Sequence, residues 1–566
     1  MASASSDQAA ERSGDGRSRC ETVFAYHERT KHHFQRYARS LGYLDWATQP
    51  HPFRYYEGSV QTRLDLNRTP EPVSYDQLYE DDPVTPKPVD LDSIADFFRY
   101  SLALSAWKQS GPSRWALRIN PSSGNLHPTE AYVVLASLSG ASANPALYHY
   151  VSESHVLEQR ASFTDDVWRS LTKSLPEGSF LIGLSSVIWR EAWKYGERAF
   201  RYCQHDIGHA VAAIRFAAVL CGWNVQLVSS WSTEDMAALI GTDRTSDFHE
   251  GEHEEAEVLA VVTPNTSVAA NLPCLPPPDE GTLRGIREAG WYGHGNRLGR
   301  SHVPWPVIDE VAAASRMPRA AAVVEAPGPF PDPSVKTEAV SDLDARRIIV
   351  QRRSCLALDG VSTIGRGAFL RILGRTLPGP HPPWDALYWK PKIHLLLFVH
   401  RVVGLPPGAY LLVRDTNKTD ELKGACRAEF LWTRPSEVSA EFPLFLLFEG
   451  DCSDAARALS CHQEIAADGF FSLGMIAEFA EPIQRHGAWF YRNLFWEAGV
   501  IGQVLYLEAE AAGARSTGIG CFFDDPVHEV LGLKGNRFQS LYHFTVGMPV
   551  EDHRLQSWPP YPDASK

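Results

Sequence analysis

Short apolar runs rich in β-branched residues recur along the chain and predict strands. They are AYVVLASL (Ala131–Leu138), VLAVVT (Val258–Thr263), IHLLLFVH (Ile393–His400) and FPLFLLF (Phe442–Phe448). Two longer stretches, Ala199–Trp223 and Tyr491–Gly513, are apolar nearly all round. Helices of that kind are buried. Regular patterning runs from about Leu91 to Thr263 and again from Asp342 to Asp552. Between them, LPCLPPPDEG and EAPGPFPDPS read as linker. The opening MASASSDQAAERSGDGRSR has no apolar core and reads as a disordered tail rather than a signal peptide. An aromatic, basic stretch from Tyr26 to Gly58 follows, with a helix expected over its first half and a turn at Gln49–Pro52. The expected division is a tail at 1–20, an N-terminal domain at 21–264, a Pro-rich linker at 265–340 and a C-terminal domain at 341–566.

The two apolar helices repeat each other. A shift of 291 positions sets Phe200-Arg201 on Tyr491-Arg492, Asp206 on Glu497, Gly208 on Gly499, Gly222 on Gly513 and Gly241 on Gly532. Three glycines at one spacing inside matching patterns indicate an internal duplication. A fold doubled within one chain implies a pseudo-dimer with a site at its two-fold interface.

Bulk properties narrow the choice of chemistry. The 566 residues are 44% hydrophobic and 22% charged, which is ordinary for globular domains. A net charge of −14 speaks against general nucleic-acid binding. Nine scattered cysteines without a CxxC pair read as reduced thiols of a cytoplasmic protein. No run reaches the ~20 apolar residues of a membrane helix, so no membrane association is expected.

Three motifs carry candidate chemistry, and the halves divide them. NPSSGNLHPTEAY (Asn120–Tyr132) offers hydroxyls, an amide and a close backbone to a polar ligand. QRRSCLALDG (Gln351–Gly360) offers adjacent arginines suited to a phosphate. GARSTGIGCFFDD (Gly513–Asp525) follows the second buried helix with glycines that admit a flat ring or phosphate.

Taken together, these motifs resemble the nitroreductase-like flavoproteins, in particular the SagB-type branch that includes azoline dehydrogenases. The resemblance runs from about Tyr26 to Tyr561. It implies an α+β fold of two tandem nitroreductase-like domains. Each would have a mainly antiparallel sheet, and the long helices would meet at the core of an intrachain pseudo-dimer. It further implies FMN at the interface. Arg352, Arg353 and Ser354 would clamp the phosphate. Gly518, Ile519 and Gly520 would line the flavin. Pro121, Ser122, Ser123 and Asn125 would come from the opposite half, and Arg554 would be a C-terminal basic contact. The N-terminal half lacks the double arginine, with RYSLALSAW (Arg99–Trp107) in its place. The C-terminal half has LPGPHPPWDALYWKPK where the Pro-Ser-Ser loop would be. One FMN per chain is therefore expected, in a chain able to act as a monomer.

Lys194-Tyr195 resembles the Lys-Tyr pair of azoline dehydrogenases, which the family implicates in catalysis. Oxidation of a C–H bond needs a base for the proton. The implied activity is dehydrogenation of a small heterocyclic or peptide-like substrate. NAD(P)H-driven reduction of a nitro or quinone compound and a non-catalytic flavin scaffold are the alternatives. His205 and His209 read as core histidines, and no metal site is expected. Cys461-His462 and Cys521 read as packing residues.

Overall fold

The computed structural model describes residues 18–68, 70–79, 84–264, 275–319, 340 and 342–561. The N-terminal half supplies β1 (Thr129–Leu135), β2 (Ala146–Val151), β3 (Val156–Ser162), β4 (Phe180–Ser186), β5 (Asn224–Leu227) and β6 (Glu255–Thr263). They pair in the order β3-β2-β1-β4-β6-β5. The C-terminal half supplies β7 (Ile393–Val399), β8 (Gly408–Leu412), β9 (Leu444–Glu449), β10 (Phe471–Glu478), β11 (Arg515–Ile519) and β12 (Phe538–Gly547). Their order, β9-β8-β7-β10-β12-β11, is the same, and every pairing in both series is antiparallel. The central strands β4 and β10 are buried along their whole length.

The helices used below are α1 (Arg19–Arg29), α2 (Leu91–Ser101), α3 (Ile188–Tyr195), α4 (Ala199–Leu220), α5 (Thr233–Ile240), α6 (Ala345–Gln351), α7 (Phe490–Ala511) and α8 (Asp524–Leu531). The long helices α4 and α7 have 22 residues each, begin and end 291 positions apart, and stop three and two residues short of the expected ends. They cross at Gly208 and Gly499, where a Cβ on either residue would collide with a backbone carbonyl of the other helix (Trp496 or His205). Only glycine permits that approach. Gly241 and Gly532 end α5 and α8 in the left-handed conformation, at φ 79° and 81°. Phe200 and Tyr491 stack across the axis with planes 6° apart. Their neighbours reach reciprocally into the other half. Arg201 Nη2 donates to Asp524 (2.7 Å) and Arg492 Nη1 donates to Glu257 (2.6 Å). One hydrophobic core runs through both halves.

The two ends of the chain are exchanged. Helix α1 opens on a capping box of Ser18 and Glu21, so residues 18–20 belong to a helix; the rest of the expected tail lies outside the described residues. His27 sits between Tyr491 Oη (3.3 Å) and Gln539 Oε1 (3.2 Å) of the C-terminal half. The helix ends earlier than expected. The Thr30 hydroxyl donates back to Tyr26 O (2.9 Å), and Asp524 and Asp525 then hold His32 and Lys31. At the other end, Gln556–Trp558 pairs antiparallel with Leu104–Ser110 of the N-terminal half. The Tyr561 hydroxyl donates to Ser152 O (2.7 Å).

The stretch expected as linker is partly folded. Residues 275–319 hold helices Glu280–Arg287 and Pro306–Ala314, and Gly290–Trp291 extends the first sheet at β3. Pro306 occupies the first helical turn, where a missing N–H costs nothing. Residues 265–274 and 320–339 of that stretch lie outside the described residues. Among the described residues no helix is long and apolar enough to cross a membrane.

Candidate functional site

The chain enters β1 through Asn120–Pro128. Gly124, Asn125 and His127 take φ of 58°, 60° and 54°, a left-handed region that glycine and asparagine tolerate best. Ser122 Oγ accepts from His127 N (2.8 Å), and Asn125 Nδ2 donates to Ala116 O (2.9 Å). Ser123 N and Oγ both donate to Asp206 on α4, each at 3.0 Å. Burial raises the Asp206 carboxyl to about 7, against the hydrogen bonds from Ser123 and Ser122. The loop is thus bolted to the long helix by a carboxylate that sequence reasoning registered only as a repeat position.

Opposite lies the end of α6. Arg352 Nη2 donates to Arg118 O (2.9 Å) and Ile119 O (3.0 Å), and its guanidinium lies 4.9 Å over the Tyr506 ring. Its Nε is buried with no hydrogen-bond partner. Arg353 donates to Val350 O, Arg352 O and Ser105 O. Burial, then the like charge of Arg352, pushes it down to about 10. Burial and Arg353 also lower Lys108, which the sequence gave no reason to select. Ser354 Oγ meets Tyr506 Oη at 2.9 Å.

The third wall is β11, an edge strand. Gly518 N donates to Tyr506 Oη (3.1 Å). A Cβ at Gly518 would collide with the Tyr542 hydroxyl, and one at Gly520 with the Tyr202 ring. These glycines therefore admit two tyrosine side chains to the wall. The Tyr202 hydroxyl donates to Gly520 O (3.0 Å).

The three walls enclose one cavity of about 450 Å³. Pro121, Ser122, Ser123, Asn125, Arg352, Arg353, Ser354, Gly518, Ile519 and Gly520 all line it, as do Lys108, Tyr195, Tyr202, Asp206, His209, Tyr506 and Tyr542. Its size falls within the range of small-molecule sites. One end carries Lys108, Arg352 and Arg353, all three lowered chiefly by burial, and an unpartnered buried Nε. That end suits an anion such as a phosphate monoester.

Two expected site residues are placed differently. Lys194 does not line the cavity. It stands behind the Gly124 turn, with Nζ 5.3 Å from the centroid of the Tyr195 ring. Arg554 is corrected outright. It is exposed, pairs with Asp552 (2.7 Å) and does not line the cavity, although its neighbour Leu555 does. His205 stacks on Tyr542 at 4.1 Å, and His209 Nε2 lies 3.3 Å from Tyr542 Oη.

The position related to this cavity by the repeat is filled. Glu497, the match of Asp206, accepts from Lys392 N (2.9 Å), Ile393 N (3.2 Å), Trp389 Nε1 (3.2 Å) and Arg414. It too holds the loop entering the first strand of its sheet. There, however, Tyr388 takes a hydrogen bond from Asn493 (3.0 Å), and Trp489, Trp496, Met236 and Met317 pack in. A void of about 20 Å³ is left, enough for a single water. Arg215, the match of Tyr506, is tied to Asp385 (2.7 Å) and Asn224 (3.0 Å).

No protein-family model matches the chain, and no curated protein sequence matches it. Solved structures do. A crystal structure of a candidate nitroreductase from Anabaena variabilis ATCC 29413 superposes with a TM-score of 0.67 at 22% identity, covering 94% of this chain and 99% of that one. The fold of both halves is therefore nitroreductase-like and α+β. A nitroreductase candidate from Ralstonia eutropha JMP134 aligns over 40% of this chain and 90% of its own, at 13% identity and a TM-score of 0.26. The E. coli microcin synthetase McbBCD complex with truncated pro-MccB17 aligns over 45% and 85%, at 17% and 0.27. Overlaps that partial carry nothing about function.

Proposed function

We propose that the protein is an FMN-dependent oxidoreductase arising from a fused duplication, with one flavin per chain. We read it as a SagB-type dehydrogenase of a small heterocyclic or peptide-like substrate. The observation that carries this reading is one cavity in which the loop of one half and the arginine and glycine motifs of the other converge.

Lys108, Arg352 and Arg353 would hold the phosphate, and the buried Arg352 Nε gains the partner it lacks. Ser122, Ser123 and Asn125 would face the ring across the cavity from Gly518–Gly520. When bound, FMN supplies two-electron chemistry, while the chain supplies orientation and proton handling. Burial holds the Tyr195 phenol well above its ordinary range, so it keeps its proton and presents a donor to the cavity. Burial lowers Lys194, against the pull of Glu191, and so makes it the better proton acceptor of the pair. Asp206 fixes the loop and so the shape of the ring-binding end.

The test is flavin stoichiometry on purified protein, by visible spectrum and released cofactor. One FMN per chain is expected. Two would show that the filled position opens, and none after added FMN would leave only a scaffold. Rapid bleaching of bound flavin by NAD(P)H would instead place the protein with the nitro and quinone reductases.

A further inference from the structure

Two cysteines 60 positions apart meet at the wall of the cavity. Cys521 follows Gly520 and lines the cavity; Cys461 follows helix Ser453–Leu459. Both are partly exposed, and their Sγ atoms lie 2.7 Å apart, within direct contact of each other. The loops that carry them are tied twice. Gln463 Nε2 donates to both Ser460 O (2.8 Å) and Cys521 O (3.0 Å), and Phe523 N donates to Leu459 O (2.9 Å). Cys461 and His462 both adopt left-handed backbone, at φ 54° and 57°. Non-glycine residues rarely do so, and such strain gathers at functional positions.

The surroundings polarise the pair. His32 Nδ1 accepts from Ala38 N (2.9 Å), so the ring proton sits on Nε2 and the ring donates to Cys521. Arg198, whose Nη2 reaches Gly520 O at 3.3 Å, adds positive charge. The hydrogen bond between the two sulfurs, then His32 and Arg198, lowers the Cys521 thiol against burial. The same hydrogen bond and burial raise Cys461. Asp524, Tyr37, Tyr195 and Tyr202 complete the titratable groups facing the two sulfurs.

We propose that Cys461 and Cys521 form a dithiol/disulfide couple that reacts with low-molecular-weight disulfides, with Cys521 as the attacking sulfur and Cys461 as the resolving one. The Cys521 thiolate attacks a disulfide RSSR, forms a Cys521–S–SR mixed disulfide and releases RS⁻. Cys461 gives up its proton and attacks Cys521 Sγ. This forms the Cys461–Cys521 bond and expels a second RS⁻. Two protein thiols are oxidised, one disulfide is reduced to two RSH, and the protons balance. Neither sulfur needs flavin for this exchange.

The probe is oxidised glutathione, titrated against reduced glutathione on the purified full-length protein, with alkylation and peptide mapping by mass spectrometry. The expected product is a Cys461–Cys521 linked peptide that forms and reverses with the glutathione ratio. Cys461→Ser should trap glutathione on Cys521, and Cys521→Ser should leave Cys461 unmodified, with both folds checked by circular dichroism. Iodoacetamide should alkylate Cys521 with a pH midpoint well below the ~8.5 of a free thiol. No linked peptide at any ratio, or glutathione adducts on other cysteines first, overturns the proposal. So does an ordinary alkylation midpoint. If the serine variants do not fold, the wild-type titration and alkylation profile decide.

Discussion

The cavity and its repeat-related mate differ in what fills them, on a scaffold that is the same. Strand order, helix lengths and the glycine crossing agree between halves. Even the buried carboxylate keeps its task, with Asp206 fastening the loop before β1 and Glu497 the loop before β7. One side nevertheless encloses about 450 Å³ and the other about 20 Å³. The difference lies in two entry loops and a few side chains: Tyr388, Trp489 and Trp496 on the closed side, Arg352 and Arg353 on the open one. In this molecule the scaffold fixes where a site can be, and loop volume decides whether it exists.

The comparison breaks most visibly at the arginines. Arg352→Ala with Arg353→Ala removes charge-assisted bonds of roughly 1.5–3 kcal/mol each. Flavin affinity should then fall about 10²- to 10⁴-fold, read as loss of visible absorbance on a folded protein. Arg554→Ala, measured beside it, should leave the flavin ratio unchanged, since that side chain points to solvent. Opening the closed side is the next largest effect. Trp489→Ala deletes a buried indole that lines the small void and should lower stability by about 3–5 kcal/mol in urea unfolding. It should recruit no second flavin, because the arginine pair is missing there; a second equivalent would mean that volume alone separates the two positions.

Asp206→Asn is the subtlest. The folded carboxyl titrates near 7, above an unfolded aspartate, so the native state holds an extra proton from about pH 4 to 7. Stability therefore falls as pH rises through that window, by at most about 1.4 kcal/mol per unit. The asparagine variant should lose that slope, measured by urea unfolding at stepped pH. An unchanged slope would remove Asp206 from its place at the loop.

Much of the architecture was legible because it rests on local rules. The repeat declared itself through Gly208, Gly222 and Gly241 and their partners, each required by a crossing or a left-handed turn. The motif residues of the cavity were legible as well. What escaped depends on distance in space. Nothing near Cys461 announces Cys521, and Lys108 is an unremarkable strand lysine until Arg353 folds beside it. Asp206 was visible as a repeat position, but its role waited on Ser123. Arg554 was assigned from a loose match at GMPVEDHRL; its neighbour Leu555 lines the cavity while its own side chain pairs with Asp552 in solvent.

The exchanged ends bear on how the protein is made. Leu104–Ser110 gains its second neighbour, Gln556–Trp558, only after a long intervening stretch of chain; Lys108 and its partner Ser557 are 449 positions apart. A nascent chain halted before then exposes an open strand edge, a template for pairing with other chains. A product that stops short of Gln556 therefore carries that open edge in its first half.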